Sequence, residues 1–250
     1  MNLSRLVRSA SSLAALFPSP CVSCGGARPG VTNGALCRKC QSQIEFCPKN
    51  ICCVCGAPLE FDYEIETGET YKCGECIARP PRYEELRFAM VYSGPVRELF
   101  HAFKFQSQRR LAAPLAALGQ GALAPWLREW PDAVIIPTPL AMRKLYTRGY
   151  NPSYLLAKIL ADMAGLKVAE GALRRIRPTT PQFGLNSAQR VKNVKGAFEV
   201  HSPKSIRGRR VIFFDDILTT GATIRECCKT IKKAKPKALR VATLCRVADV

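Results

Sequence analysis

Two adjacent carboxylates, Asp215 and Asp216, follow the apolar run VIFF, and Thr219, Thr220, Gly221, Ala222 and Thr223 come just after them. A short apolar run of this kind reads as a buried strand, and open α/β sheets hold ligands at the carboxyl ends of such strands. Like charges placed side by side there need a partner, which the vicinal hydroxyls of a ribose provide, with or without Mg²⁺. The Thr-Thr-Gly-Ala-Thr segment sets hydroxyls and unpaired backbone N–H groups at a helix start, where a phosphate is stabilised. Gly221 can take the positive φ that brings backbone close to an anion. An ordinary N-cap and tight turn would use some of these residues, but the complete ordered string asks for more than that. Neither a G-x-x-x-x-G-K-[ST] loop nor a G-x-G-x-x-G turn occurs to suggest a triphosphate or a dinucleotide.

A second set of reactive residues lies near the other end of the chain. Ten of the 13 cysteines fall between Cys21 and Cys76, and eight of them form C-x-x-C turns: Cys21 and Cys24, Cys37 and Cys40, Cys52 and Cys55, Cys73 and Cys76. Each turn aims two thiolates at one point, and two turns complete a closed tetrahedral zinc site with no open position for catalysis. One or two structural Zn²⁺ ions are therefore expected. Sequential pairing leaves 12 and 17 residues between the turns; interleaved pairing satisfies the donors as well. Cys47 and Cys53 are spare thiols. The spacing favours metal in a reducing cytosol over a disulfide framework. With few large apolar residues around it, this module is expected to need its metal to fold.

Composition sets the frame for both. The chain has 250 residues, 47% hydrophobic and 23% charged, which excludes a disordered or fibrous protein and fits one α/β domain with a satellite. Its net charge of +19 is unevenly spread: residues 1–85 hold nine basic and nine acidic residues, so the excess lies beyond them. Such a field attracts polyanions and anionic ligands. The apolar run LAALF near the start is too short for a signal peptide and has no A-x-A site after it, so residues 1–20 are read as a short amphipathic segment. No run is long enough for a transmembrane segment, and a cytoplasmic location is expected.

The elements that must position these residues follow from pattern. A proline pair at Pro80 and Pro81 ends the cysteine-rich module, read as residues 21–82, and the larger domain is read as 86–250. Within it LRFAMVY reads as an edge strand, with helices expected over 96–105 and 111–130. DAVIIPTPL is a buried strand stopping at Pro137, followed by a basic loop RKLYTRGYN and a helix over 152–163. A strand over 211–214, a loop, and a helix over 223–234 repeat that grammar, and ALRVATLCRV closes the chain as a strand. Strands alternating with helices predict an α/β parallel sheet flanked by helices. No internal repeat of 20–50 residues is evident.

The string VIFFDDILTTGAT resembles the phosphoribosyl pyrophosphate signature of type I phosphoribosyltransferases. The segments IIPTPLAMRKLYTRGYNPSYLLAKIL and RIRPTTPQFGLNSAQRVKNVKGAF precede it in the order seen in the ComF family of competence-related proteins, and the four C-x-x-C pairs complete a resemblance over roughly residues 15–246. It implies a type I phosphoribosyltransferase-like parallel sheet preceded by a small zinc-ribbon-like module, with a role in DNA uptake during natural transformation. By resemblance, Asp215 and Asp216 reach the ribose hydroxyls and Thr219 to Thr223 hold the 5-phosphate of 5-phosphoribosyl pyrophosphate, with Mg²⁺. Purine-salvage members carry an aspartate where this chain has Thr219, which argues against purine salvage.

Physically, Arg143, Lys144 and Arg148 follow a strand end where a pyrophosphate loop would lie, and their charges would neutralise a leaving pyrophosphate. Gln182, Arg190 and Asn193 fall in a long polar stretch that reads either as a mobile hood over the site or as a surface hairpin. Two functions remain open: phosphoribosyl transfer to an unknown acceptor, and a non-catalytic single-stranded-DNA-binding accessory of the uptake machinery whose sugar-phosphate site is vestigial or sensory. From Arg174 to Arg240 there are seventeen basic residues against four acidic ones, enough for a phosphate-tracking surface. Under either function a DNA-uptake helicase or another competence protein is an expected partner. His101 and His201 belong to no motif, and no general base is assignable.

Overall fold

The computed structural model describes residues 20–26, 35–59, 71–179 and 186–247. In chain order the helices are α1 (Arg38–Gln41), α2 (Gly74–Ala78), α3 (Gly94–Phe105), α4 (Ala112–Arg128), α5 (Met142–Arg148), α6 (Pro152–Ala164), α7 (Ser187–Val194) and α8 (Ala222–Lys232). The strands are β1 (Leu86–Val91), β2 (Val134–Pro137), β3 (Lys167–Val168), β4 (Leu173–Arg175), β5 (Phe198–Val200), β6 (Arg210–Leu218) and β7 (Ala238–Arg246).

Five strands form one sheet in the order β1-β7-β6-β2-β3, every pairing parallel, while β4 and β5 make a separate antiparallel hairpin. The expected parallel sheet with helices on both faces is present. Its central strands are continuous apolar runs because each is buried on both sides: Ile212 and Phe214 pack into a core with α3, α4 and α6, and Val211 and Phe213 into another with α8 and β5. The fit is tight under α4. A Cβ on Gly119 would lie 2.3 Å from Leu244 Cδ1 and 3.1 Å from Ala89 Cβ. Gly119→Ala is therefore expected to destabilise by about 1–3 kcal/mol despite the better helix propensity of alanine, read as a lower urea midpoint.

Two expectations are corrected. The stretch RKLYTRGYN is a helix rather than a loop over 142–148, stopped by Gly149 at φ 77°. None of its residues is buried, so it has no apolar stripe by which its period could be read. The signature strand also runs on past Phe214 to Leu218, held in register with β7 as far as Leu218 and Arg246. Asp215 and Asp216 are thus strand residues and not the start of a loop.

The cysteine-rich module is built into the sheet's edge. Phe46 bridges Met90 in antiparallel sense, Cys47 N–H donates to the Ala89 carbonyl at 2.9 Å and Val91 N–H to that of Glu45 at 2.8 Å. These bonds cover the otherwise open side of β1, an edge that would invite pairing with another chain. Cys21 and Cys40 join the core that contains Ala89 and Met90, whereas Cys52 and Cys76 join the one that contains Leu86 and Phe88. The module therefore straddles the edge. Among the described residues no helix is long and apolar enough to cross a membrane.

Candidate functional site

At the carboxyl end of β6 the chain opens into a cleft of about 720 Å³, lined by Asp215, Asp216, Thr219, Gly221, Ala222 and Thr223 together with residues from five other elements. Neighbouring strand residues point to opposite faces, so the acid pair is split. Asp216 shares the face of Ile212 and Phe214 and is ion-paired to Lys104 of α3, Nζ to Oδ1 at 2.7 Å, both side chains largely buried. Asp215 lies on the other face, where its Oδ1 accepts the Asp216 N–H at 3.0 Å and the Ser153 hydroxyl at 3.4 Å. Its environment opposes ionisation: burial first, then the charge of Asp216, push Asp215 up to about 7, with Lys104 pulling the other way.

A carboxyl raised above its unfolded value binds more protons folded than unfolded. Its effect on stability is absent below the unfolded pKa near 3.8 and grows unfavourable as pH rises toward 7. The ligand-free protein is accordingly expected to lose urea resistance between about pH 4 and about pH 7, and Asp215→Asn to flatten that slope. An unchanged slope in the variant would remove Asp215 as its source.

Beyond the acid pair, Gly221 is the N-cap residue of α8, at φ 73° and ψ 2°, and no side chain caps the helix. Gly221, Ala222 and Thr223 at this helix start border the cleft, and a helix N-terminus is suited to an anion. Thr220 is outside the lining, and its Oγ1 is buried without a partner among the described residues. Of the three cations expected on a pyrophosphate loop, Lys144 and Arg148 line the cleft and Arg143 does not, being exposed on α5. Burial, followed by the charges of Arg175, Arg148 and Lys104, pulls the Lys144 ammonium below its usual range. This is a crowd of cations around one opening.

Arg190 of α7 also reaches the cleft. Asn193 does not line it; its carbonyl accepts the Arg177 guanidinium at 2.9 Å. Gln182 lies outside the described residues. The described part of the expected hood is an ordered helix with a capping box between Asn186 and Gln189, joined to α8 where Gly196 N–H donates to Glu226 Oε1 at 2.9 Å. Lys104 and Arg175 were not expected at the site. Lys104 carried a signal, a lone lysine among the buried aromatics of α3 with its ammonium 5.4 Å from the Phe100 ring centroid. Arg175 carried none.

In the module, the sulfurs group as Cys21, Cys24, Cys37 and Cys40 and as Cys52, Cys55, Cys73 and Cys76, all within 4.8 Å of one another in each set. Sequential pairing is thereby distinguished from interleaved. Tetrahedral sulfurs at about 2.3 Å from one Zn²⁺ lie roughly 3.8 Å apart, and Cys24 to Cys37 is 3.8 Å and Cys55 to Cys73 3.7 Å. The halves repeat each other in detail. Cys37 N–H donates to Cys21 Sγ and Cys73 N–H to Cys52 Sγ, both at 3.3 Å, and Gly25 and Gly56 turn the chain at φ 71° and 69°. Backbone donors together outweigh desolvation and bring Cys21 down to about 6 and Cys52 to about 7, whereas burial and the neighbouring thiols push Cys40, Cys55 and Cys76 up, so one thiolate in each set forms readily and the others need the charge of a metal. Two all-thiolate tetrads fit structural Zn²⁺.

Comparison with known proteins agrees with both halves. Residues 150–249 match the Phosphoribosyl transferase domain and residues 12–77 the Double zinc ribbon domain. Competence protein F of Haemophilus influenzae is 32% identical, over 92% of this chain and 98% of its own length. DNA utilization protein YhgH of Escherichia coli is 30% identical over 86% of this chain and 99% of its own, and Competence protein ComFC of Bacillus subtilis 24% over 84% of each. With a double zinc ribbon at the edge of a phosphoribosyltransferase-like sheet and full-length relatives of this kind, the chain belongs to the ComF family.

Proposed function

We propose that the cleft binds 5-phosphoribosyl pyrophosphate with Mg²⁺ and supports phosphoribosyl transfer to an acceptor, in DNA uptake or utilisation. The observation that carries this reading is that the acid pair, the uncapped start of α8 and the cations Lys144 and Arg148 all open on one cleft. Asp215 and Asp216 take the ribose hydroxyls, Thr219 to Thr223 the 5-phosphate, and Lys144 and Arg148 the pyrophosphate. As pyrophosphate leaves, positive charge grows at the sugar C1, and the protein's contribution is alignment and charge stabilisation. The carboxylates, hydroxyls and phosphate oxygens form an all-oxygen donor set that suits Mg²⁺, which when bound spreads the charge of the departing pyrophosphate. Thr219 leaves no carboxylate for a purine, consistent with a different acceptor.

A ligand that binds only the folded state raises its melting temperature. Zinc-loaded protein is expected to be stabilised more by 5-phosphoribosyl pyrophosphate with Mg²⁺ than by ribose 5-phosphate or by pyrophosphate. Equal shifts from all three would contradict the reading.

A second surface favours DNA. At the amino end of the sheet, away from the cleft, Lys204, Arg207, Arg209, Lys233, Lys235 and Lys237 are exposed on two loops. Gly208 N–H donates to the Lys235 carbonyl at 3.0 Å and Lys237 N–H to that of Arg209 at 2.8 Å, which joins the loops into one basic ridge. We infer that this ridge tracks the phosphates of single-stranded DNA. Affinity should then fall steeply with salt, and Lys233→Glu/Lys235→Glu should reduce both affinity and salt slope. Affinity indifferent to that charge reversal would sink it.

A further inference from the structure

Arg175 and Arg190 enter the cleft from β4 and α7, apart from the elements that carry the phosphate turn and Lys144 with Arg148. The Nε of each is buried and has no partner among the described residues. Arg175 is costly where it stands: burial, with Arg177 nearby, pulls its guanidinium below the usual range. Its Nη2 meets the Thr179 hydroxyl, and its plane lies over the Phe198 ring at 5.4 Å. Neither contact supplies charge.

Among the described lining residues the carboxylates are Asp215 and Asp216 alone, and Lys104 already pairs with Asp216. The charge of Asp215 reaches Arg175 through space without an ion pair between them, so neither forked cation has a paired carboxylate among the described residues. Arg177 fixes α7 relative to β4 through the carbonyls of Asn193 and Lys195, at 2.9 and 2.8 Å, so Arg190 is held in place. A guanidinium with free donors in a dry setting matches a carboxylate or a phosphate, taken in bidentate fashion.

We propose that Arg175 and Arg190 hold an anionic group on the acceptor, so that the transfer substrate is an acid carrying a carboxylate or a phosphate near its nucleophilic atom. This rests on the 5-phosphoribosyl pyrophosphate reading of the same cleft. The acceptor's nitrogen or oxygen lone pair forms the new bond to C1 while the C1–O bond to pyrophosphate breaks. That bond's electron pair leaves with pyrophosphate, and the acceptor's proton passes to pyrophosphate or solvent.

The test begins without an acceptor, by titrating the zinc-loaded full chain with 5-phosphoribosyl pyrophosphate and Mg²⁺. No binding by wild type brings down the parent reading and this one with it. A loss of about tenfold or more in that titration for Arg175→Gln and Arg190→Gln would make them pyrophosphate ligands and overturn the proposal alone. The second stage measures labelled probes by equilibrium dialysis against the saturated protein, in pairs that differ in charge. Orotate against uracil is the carboxylate arm, and uridine 5′-phosphate against uridine the phosphate arm.

The expected result is that in one arm the acid binds at least about tenfold more tightly than its neutral partner, and that either substitution abolishes the preference. No preference in either arm, or one that survives both substitutions, overturns it. Arg190 lies on the partly exposed α7, so Arg190→Gln keeps the test valid should Arg175→Gln fail to fold.

Discussion

Stripping zinc with a chelator, or replacing Cys52 and Cys76 by serine, is expected to unfold the phosphoribosyltransferase-like half as well as the ribbon. Cys21, Cys40, Cys52 and Cys76 are buried among residues of β1, in the two cores that cover both faces of the sheet. The ribbon also ties the sheet's carboxyl end at three points. Ser93, the N-cap residue of α3, donates to Glu45 at 2.9 Å; Arg246 of β7 donates to the Cys55 carbonyl at 3.0 Å; and Arg225 of α8 pairs with Glu75 at 2.8 Å. Glu75 sits between the ligands Cys73 and Cys76. Structural zinc in small modules contributes about 10–16 kcal/mol, which is comparable to the whole stability of a domain, about 5–15 kcal/mol. Trp126 and Trp130, both outside the ribbon, report on the larger half. Their fluorescence and the far-ultraviolet circular dichroism should change together in one transition on chelation. A tryptophan signal that survives loss of metal would show two independent units.

Parts of this architecture were legible because single segments encode them. The C-x-x-C turns and the string from Val211 to Thr223 carry their own spacing, and β6 and β7 are apolar enough to announce a buried parallel sheet. What stayed hidden depends on contacts between distant segments. Lys104 and Asp216 are 112 residues apart, and the splitting of the acid pair appears only once β6 is seen to run on to Leu218. Helix α5 has no apolar face to betray it. The likeness of the two cysteine half-modules lies in hydrogen bonds and glycine turns rather than in the residues between them, so no sequence repeat was visible. Residues 45–47 had no reason to look like a strand until β1 needed its edge covered.

Asp215→Asn/Asp216→Asn is expected to keep the fold and lose the ligand. The first substitution relieves a carboxyl that burial and its neighbour hold against ionisation, while the second leaves the Lys104 ammonium without its partner. The two act in opposite directions on stability. On binding they act together, since each removes an anionic acceptor for a ribose hydroxyl, and hydrogen bonds to charged groups are worth about 1.5–3 kcal/mol each. The combined loss is roughly two to four powers of ten in affinity.

Calorimetric titration of the zinc-loaded chain with 5-phosphoribosyl pyrophosphate in the presence of Mg²⁺, wild type beside that double variant, is the most direct measurement of whether the cleft is a ribose-phosphate site. Saturable binding by wild type, with no measurable heat from the equally folded variant, is the predicted result. A wild type that does not bind, or a variant that binds as tightly, would contradict it.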